Sequence, residues 1–325
     1  MGVDFVVIIP CYRRFDLLEK CVATVPDAPS IQVLIIDDAS PIEDFEAFKL
    51  KMAGRNNVKL FQNAENHGAG YSRNFGLKYA RDNIRGEGKQ WIVFSDDDDA
   101  FTEDAFDIFQ SHKDSTADII YFQADFVDYR ENGDSPRRVF SLSVLNREKA
   151  LTDFLNKRKE KPLRAAGFEP WAKMLSKDFI EKNGFLFHET MYMNDAFFLV
   201  DAGLKAEKID AFKEKVYIYN MFENSVCRVK TIERSLVGLN ENCALHKLYI
   251  SHKGYAIYAG ELLQKAFQCI RMYGIKNAKD IFAVLKTNDV LKTAVMFYCI
   301  RFAYRIVTLI PRKTDILVRR SRYKV

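Results

Sequence analysis

Four short apolar runs in the first hundred residues restrict this chain to a small set of folds. They are Phe5-Val-Val-Ile-Ile9, Val33-Leu-Ile-Ile36, Val58-Lys-Leu-Phe61 and Trp91-Ile-Val-Phe94. Three of the four are apolar at every position instead of every second one, which is the pattern of a strand buried on both faces. Helix-period segments lie between them. Leu17, Leu18, Cys21, Val22 and Val25 recur at helical spacing, Ser40-Pro41 with Glu43 opens a second helix, and Gly70 to about Asn83 forms a third. Strand and helix alternate with short connections, which predicts an α/β fold with a mostly parallel sheet and helices on both faces. At 325 residues and 48% hydrophobic content, the chain can bury a large core.

In open α/β sheets, ligands bind at the carboxyl ends of the strands. Here those ends carry Pro10-Cys-Tyr-Arg13, Asp37-Asp-Ala-Ser40, Asn63 to Gly70, and Ser95 to Asp99. The run Asp96-Asp-Asp-Asp99 repels itself unless it is solvated, caps a helix or holds a cation. Its D-x-D spacing of hard oxygen ligands suits Mg²⁺ or Mn²⁺, ions that complete their shells with water and substrate phosphates. An EF-hand is excluded, because the sixth position counted from Asp96 is Phe101 where glycine is required. Asn66-His-Gly-Ala-Gly70 opens the third helix, and such an N-terminus favours anions, although the same glycines serve a plain turn. Walker and G-x-G-x-x-G loops are absent from the sequence, which argues against ATPase and dinucleotide-dehydrogenase chemistry. The five histidines form no Ser/His/Asp or Cys/His pattern.

The segments Val7-Ile-Ile-Pro-Cys-Tyr12, Ile35-Ile-Asp-Asp-Ala-Ser40, Asn66-His-Gly with Tyr71-Ser-Arg-Asn74, and Phe94-Ser-Asp-Asp-Asp-Asp99 occur in order. Together they closely resemble family 2 glycosyltransferases, and the likeness continues through Pro170-Trp-Ala-Lys-Met174, Phe185-Leu-Phe187, Tyr192-Met-Asn-Asp-Ala-Phe-Phe198 and Tyr217-Ile-Tyr219. The resemblance implies a Rossmann-like GT-A fold and an inverting enzyme that uses nucleotide-diphosphate sugars, with a UDP-sugar as the expected donor. It places Pro10, Tyr12, Asp38 and Arg73 around the nucleotide base and ribose, and Asp97 near the ribose. Asp98 becomes the first choice as metal ligand, with Asp96 and Asp97 as alternatives, and Asp96 and Asp99 also read as outer support or a helix cap. Asp195 matches the family's catalytic base, while Trp171, Lys173 and Asn194 fall in the sugar or acceptor region. Three positions depart from the family pattern, one of them Ser95, where the four-aspartate run permits a one-residue shift of register. Asn194 stands where the family commonly has Glu, and Arg13 stands where it has Asn.

Asp195 also has a reading from chemistry alone. Inverting transfer needs one base to take the acceptor hydroxyl's proton while the diphosphate leaves from the opposite face. A helix N-cap is the alternative, since Asp195 precedes Ala196, Phe197, Phe198 and Val200. The expected activity is sugar transfer to a glycan or lipid-linked acceptor in polysaccharide biosynthesis. A catalytically inactive sugar-nucleotide or glycan-binding module of the same fold is the alternative.

The expected domains are a catalytic domain over 1–225 and a mainly helical region over 226–325, with helices at 231–275 and 278–310. Residues 301–325 carry eight basic residues against Asp315 alone. With the apolar and aromatic segment 295–310, this tail suits either an anionic membrane surface or a packed helix followed by a solubilising tail. No RNA motif or stacking platform supports nucleic-acid binding. The six cysteines are scattered without ligand spacing, and the N-terminus starts directly in a strand without signal-peptide flanks. A cytoplasmic protein, peripheral on the inner face of the membrane, is the resulting expectation.

Overall fold

Each of the four apolar runs forms a strand in the computed structural model, which describes residues 2–129, 137–138, 142–222 and 231–299. The chain divides into two compact units, residues 1–230 and 231–325. The first unit runs β1 (Phe5–Cys11), α1 (Phe15–Ala23), β2 (Ile31–Asp37), α2 (Ile42–Met52), β3 (Val58–Gln62), α3 (Ala69–Asn83) and β4 (Trp91–Phe94). It continues with β5 (Ala100–Phe101), α4 (Ala105–Ser111), β6 (Ile119–Asp128), β7 (Arg137–Arg138), α5 (Leu142–Lys157) and α6 (Glu160–Ala166). It ends with β8 (Lys173–Ser176), α7 (Lys177–Asn183), α8 (Ala196–Lys205) and β9 (Ile209–Met221).

The strands form one sheet in the order β3-β2-β1-β4-β8-β6-β9-β5, with β7 paired to β6. Strands β3, β2, β1 and β4 are parallel, with Phe5 opposite both Ile31 and Trp91. The parallel expectation holds for this half. Beyond it the sheet is mixed, because β8 runs antiparallel to both β4 and β6, and β5 runs antiparallel to β9. A fully apolar run states that both faces are buried, not which way the strand points.

Both faces are buried as expected. Phe5, Val7, Ile9, Val33, Ile35, Trp91 and Val93 pack under α1, α2 and α4 through Leu18, Val22, Phe48 and Phe109. Val6, Ile8, Leu34, Ile36, Ile92 and Phe94 pack on the other side against Leu77, Phe154, Phe179 and Phe198. Each such fully buried side chain contributes about 1.5–3 kcal/mol, so this alternation fixes the sheet between its helical layers. Helix α3 approaches closely because Gly76 has no Cβ, which would otherwise lie 2.6 Å from Ile8 Cγ2.

The second unit is helical: α9 (Ile232–Ser251), α10 (Leu262–Tyr273), α11 (Ala278–Thr287) and a further helical stretch over 291–299. Thr231 Oγ1 caps α9 by accepting from the Arg234 amide at 3.2 Å. Leu239, Cys243, Leu263, Ala266, Ile281 and Leu285 form its core. The stretch expected to be helical over 231–275 forms α9 and α10, with an interruption where α9 stops at Ser251 and Gly254 adopts φ +88°. The expected segment 300–310 and the basic tail lie outside the described residues. Among the described residues, Cys11, Cys21, Cys243, Cys269 and Cys299 are free thiols. No described helix is long and apolar enough to cross a membrane.

A test of the packing that shapes the site lies at Gly70. Replacing a helical glycine with alanine ordinarily gains about 1 kcal/mol. At Gly70 an added Cβ would overlap the carbonyl oxygen of His188 and sit 2.9 Å from Asn194 Cβ. Gly70→Ala should therefore cost about 2 kcal/mol or more in urea unfolding, and an unchanged or raised midpoint would contradict this packing.

Candidate active site

The carboxyl ends of β1, β2 and β4 meet the N-terminus of α3, and each loop there is tied by a side chain. Asp37, at the end of β2, accepts from the Ser40 amide at 2.9 Å and from Gln62 Nε2 at 3.0 Å. Ser40 Oγ in turn accepts from the Arg13 amide at 2.8 Å, with Arg13 held at φ +59°. The exit of β1 is thereby fixed to the exit of β2. Asp38 accepts from Asn63 Nδ2 at 2.9 Å, the His67 amide at 3.1 Å, the Gly68 amide at 2.6 Å and Ser72 Oγ at 3.4 Å. This carboxylate is buried, and its work is to hold the loop that leads into α3.

The four aspartates after β4 alternate. Asp97 and Asp99 are 2% exposed, whereas Asp96 and Asp98 expose 30% and 12% of their side chains. The inward pair continues the parity of Val93 and Ser95, whose face packs under α1. Extending the strand's period of two past Phe94 would have found this from the sequence.

Each carboxylate has its own partner. Asp96 pairs with Arg73 Nη2 at 2.6 Å. Arg14 forks across Asp97, at 2.5 Å, and Asp98. Asp99 accepts from the Tyr217 hydroxyl at 2.9 Å and the Asn220 amide at 2.7 Å. Burial pushes Asp97 up to about 7 against the pull of Arg14, and its Oδ2 is buried without a hydrogen-bond partner. Burial also raises Asp99, with Asp96 and Asp98 adding to the effect. The repulsion within the run is thus relieved by the protein's own groups.

Asp96 and Asp98 fit a divalent cation best. Each gives one oxygen to an arginine and reaches solvent. Among the described residues no three acidic, histidine or cysteine side chains converge into a complete cage. Such a site has two hard carboxylate ligands at most and suits an ion whose shell is finished by diphosphate oxygens.

Arg73 links this run to Asp195. Its Nη1 donates to Asn194 Oδ1 at 3.0 Å, and Asn194 Nδ2 donates to the Thr190 carbonyl at 3.1 Å. An amide can serve both partners, which a glutamate at this position could not. Asp195 occupies the N-cap position of α8, yet its side chain makes no capping hydrogen bond. Burial raises its carboxyl to about 6, opposed by Arg73 and assisted by Asp96. Asn74, one residue beyond Arg73, accepts from the Phe187 amide at 2.8 Å and donates to the Phe187 carbonyl at 3.0 Å. Successive residues of α3 therefore fasten the segment that precedes Asp195.

The remaining expected residues take other places. Pro10 lies within β1, and Tyr12 is 38% exposed at its exit, with the Arg13 guanidinium 5.0 Å from the Tyr12 ring centroid. Trp171 is buried and stacks on Tyr217 at 5.3 Å and on Tyr219 at 5.4 Å. Lys173 is buried with Nζ donating to the Glu169 carbonyl, and burial lowers it to about 7 while Glu169 and Asp195 oppose the shift. Trp171 thus backs Asp99 through Tyr217, while Lys173 lies over the Tyr121 ring, with Nζ 5.6 Å from its centroid. His188 stacks on Phe197 at 4.4 Å. Sequence reading missed Arg14 and Asn220 and gave Tyr217 no role, since nothing local distinguishes Arg14 from Arg13 and the other two arrive from more than a hundred residues away.

The sequence profile described as "Glycosyl transferase family 2" matches residues 6–184. No curated protein matches the chain. Among solved structures, TarS residues 1–349 from S. aureus in complex with UDP-GlcNAc gives a TM-score of 0.64 at 17% identity, covering 89% of this chain and 81% of that one. The same protein in complex with UDP gives 0.61 at 19% identity, over 87% and 79%. The mannosyltransferase PcManGT from Pyrobaculum calidifontis, in complex with GDP-Man and Mn²⁺, gives 0.52 at 14% identity, over 94% and 86%. At these identities the shared property is the fold, here GT-A. With the family profile spanning more than half of its length, the chain belongs to glycosyl transferase family 2 and is a glycosyltransferase.

Proposed function

We propose that the enzyme is an inverting transferase moving a sugar from a UDP-sugar to a hydroxyl of a glycan or lipid-linked glycan in polysaccharide biosynthesis. The observation that carries this reading is the Asp96–Arg73–Asn194 bridge, which joins the strand-end carboxylates to Asp195, a base whose own carboxyl is raised to about 6. The UDP-GlcNAc and UDP in the TarS complexes support a uridine nucleotide, and Mn²⁺ with GDP-Man in the mannosyltransferase supports a metal-assisted donor.

In this mechanism the acceptor oxygen attacks the anomeric carbon while the Asp195 carboxylate takes its proton. The anomeric C–O bond to the diphosphate breaks, and the nucleotide diphosphate leaves on the opposite face with the bonding pair. Mg²⁺ or Mn²⁺ held by Asp98 and Asp96 would neutralise the charge that gathers on the leaving diphosphate. Pro10, Tyr12 and Asp97 border the nucleotide. Asp38 acts through the loop it holds, and Arg73 acts by fixing Asp96 against Asn194. Trp171 and Lys173 shape the wall behind the sugar.

The enzyme works in the cytoplasm, peripheral on an anionic membrane surface. Phe267, Met272, Ile275, Val295 and Met296 are exposed in the second unit, and the eight basic residues of 301–325 follow them in sequence.

Asp195 makes no cap bond, so Asp195→Asn should keep the fold and donor affinity while lowering kcat roughly 10²–10⁴-fold. In the unsubstituted enzyme, lowering the pH through about 6 protonates Asp195 and should reduce kcat, while raising it restores turnover. Full turnover by the Asn variant would remove the base role, and donor binding with no turnover in either protein would favour the inactive module. Asp98→Ala should weaken Mn²⁺-dependent donor binding about tenfold or more in calorimetry, and equal affinity would reassign the metal ligand. A chain ended at Pro311 should co-sediment less with anionic liposomes than the full chain, and equal binding would remove the membrane proposal.

A further inference from the structure

Arg14 is neither the proposed base nor a proposed metal ligand, yet its guanidinium holds both Asp97 and Asp98. The other two carboxylates are served by Arg73, Tyr217 and Asn220. Arg14 is different because it is 38% exposed, while the Asp97 carboxylate it neutralises is 2% exposed. It therefore meets these carboxylates from the solvent side, the direction from which a cation enters. Asp97 depends on it, since the second Asp97 oxygen is buried without a hydrogen-bond partner.

The backbone of Arg14 is fixed by local hydrogen bonds, and its side chain is placed by the two ion pairs. Its carbonyl accepts from the Leu17 and Leu18 amides at 3.1 and 2.9 Å, and the preceding Arg13 is pinned to Ser40. The side chain also lines a cleft of about 400 Å³ with Arg13, Asp44 and Lys51, so there is open space beside it. A long cationic side chain on a fixed backbone, bordering open space, can change partners without moving the fold.

We propose that Arg14 is the resident counter-cation of Asp97 and Asp98, that it competes with a divalent ion for them, and that it transfers to the donor diphosphate when that ion binds. This inference rests on the metal-assisted reading given above. A divalent ion alone has to displace the guanidinium and gains nothing for the loss. A diphosphate offers the freed guanidinium a bidentate partner, so ion and nucleotide each strengthen the other's binding by the same factor. Arg14 is thus a positioning residue that makes the site take its metal together with the donor.

The test is Mn²⁺ binding to the full chain by isothermal titration calorimetry, with and without UDP as the probe nucleotide. Arg14→Gln should bind Mn²⁺ alone roughly tenfold more tightly than the parent, because one opposing charge has gone. UDP should tighten Mn²⁺ binding strongly in the parent and weakly in the variant. Arg14→Lys keeps the charge but cannot fork across two carboxylates, and should bind Mn²⁺ alone several-fold more tightly than the parent. This second variant decides the matter if the first does not fold. Unchanged or weaker Mn²⁺ affinity in a folded variant overturns the proposal while leaving the metal reading intact. Absence of Mn²⁺ binding by the parent even with UDP overturns the metal reading and this proposal together.

Discussion

Two arginines hold the strand-end carboxylates in place, Arg14 from the solvent side across Asp97 and Asp98, and Arg73 from within against Asp96. Without them, four adjacent carboxyls next to a buried sheet would have to be protonated or pushed into water. Asp99 is served differently, by accepting from Tyr217 and the Asn220 amide on β9, and burial still raises its carboxyl. The acidic cluster is therefore a cross-link as well as a candidate ligand site. It ties the end of β4 to the start of α1, to α3 and to β9, bringing together elements that are far apart in sequence.

Helix α3 carries the longest reach of this arrangement. Gly70 admits the 188–194 segment against the helix, Arg73 joins Asp96 to Asn194, and Asn74 pairs with both backbone groups of Phe187. Asp195 follows directly after Asn194, so the position of the proposed base is set by the same helix that faces the acidic run. The proposed donor-side and acceptor-side carboxylates are joined by hydrogen bonds and not by loop conformation alone, which is what a near-attack geometry requires.

The parallel half of the sheet was legible because Phe5–Ile9 and Val33–Ile36 are apolar at every position, a pattern that only two-sided burial explains. The reversed direction of β8 was not legible, since Lys173–Ser176 is four residues long and its neighbours β4 and β6 are fixed by tertiary pairing. The acidic run and Asp195 stood out as chemistry. The division of labour within the run was legible only in part, because the strand's parity separates Asp97 and Asp99 from Asp96 and Asp98 while their partners arrive from elsewhere in the chain. Asp38 was expected beside the nucleotide, and the four partners its oxygens accept from, Asn63, His67, Gly68 and Ser72, were not legible because they come from a loop 25 or more residues away. Choosing Arg14 over Arg13 required the positive φ at Arg13, which no residue type announces.

The account as a whole stands on the acidic strand end being a metal-assisted nucleotide-sugar site. The most direct measurement is a thermal-shift screen of UDP- and GDP-sugars, each with and without Mn²⁺. Ligand at a hundred times its Kd stabilises the native state by about 2.7 kcal/mol, a shift of several degrees. The account predicts that a UDP-sugar with Mn²⁺ raises the melting temperature by more than the sum of the two separate effects. A melting temperature that no nucleotide sugar moves, with or without Mn²⁺, would contradict it.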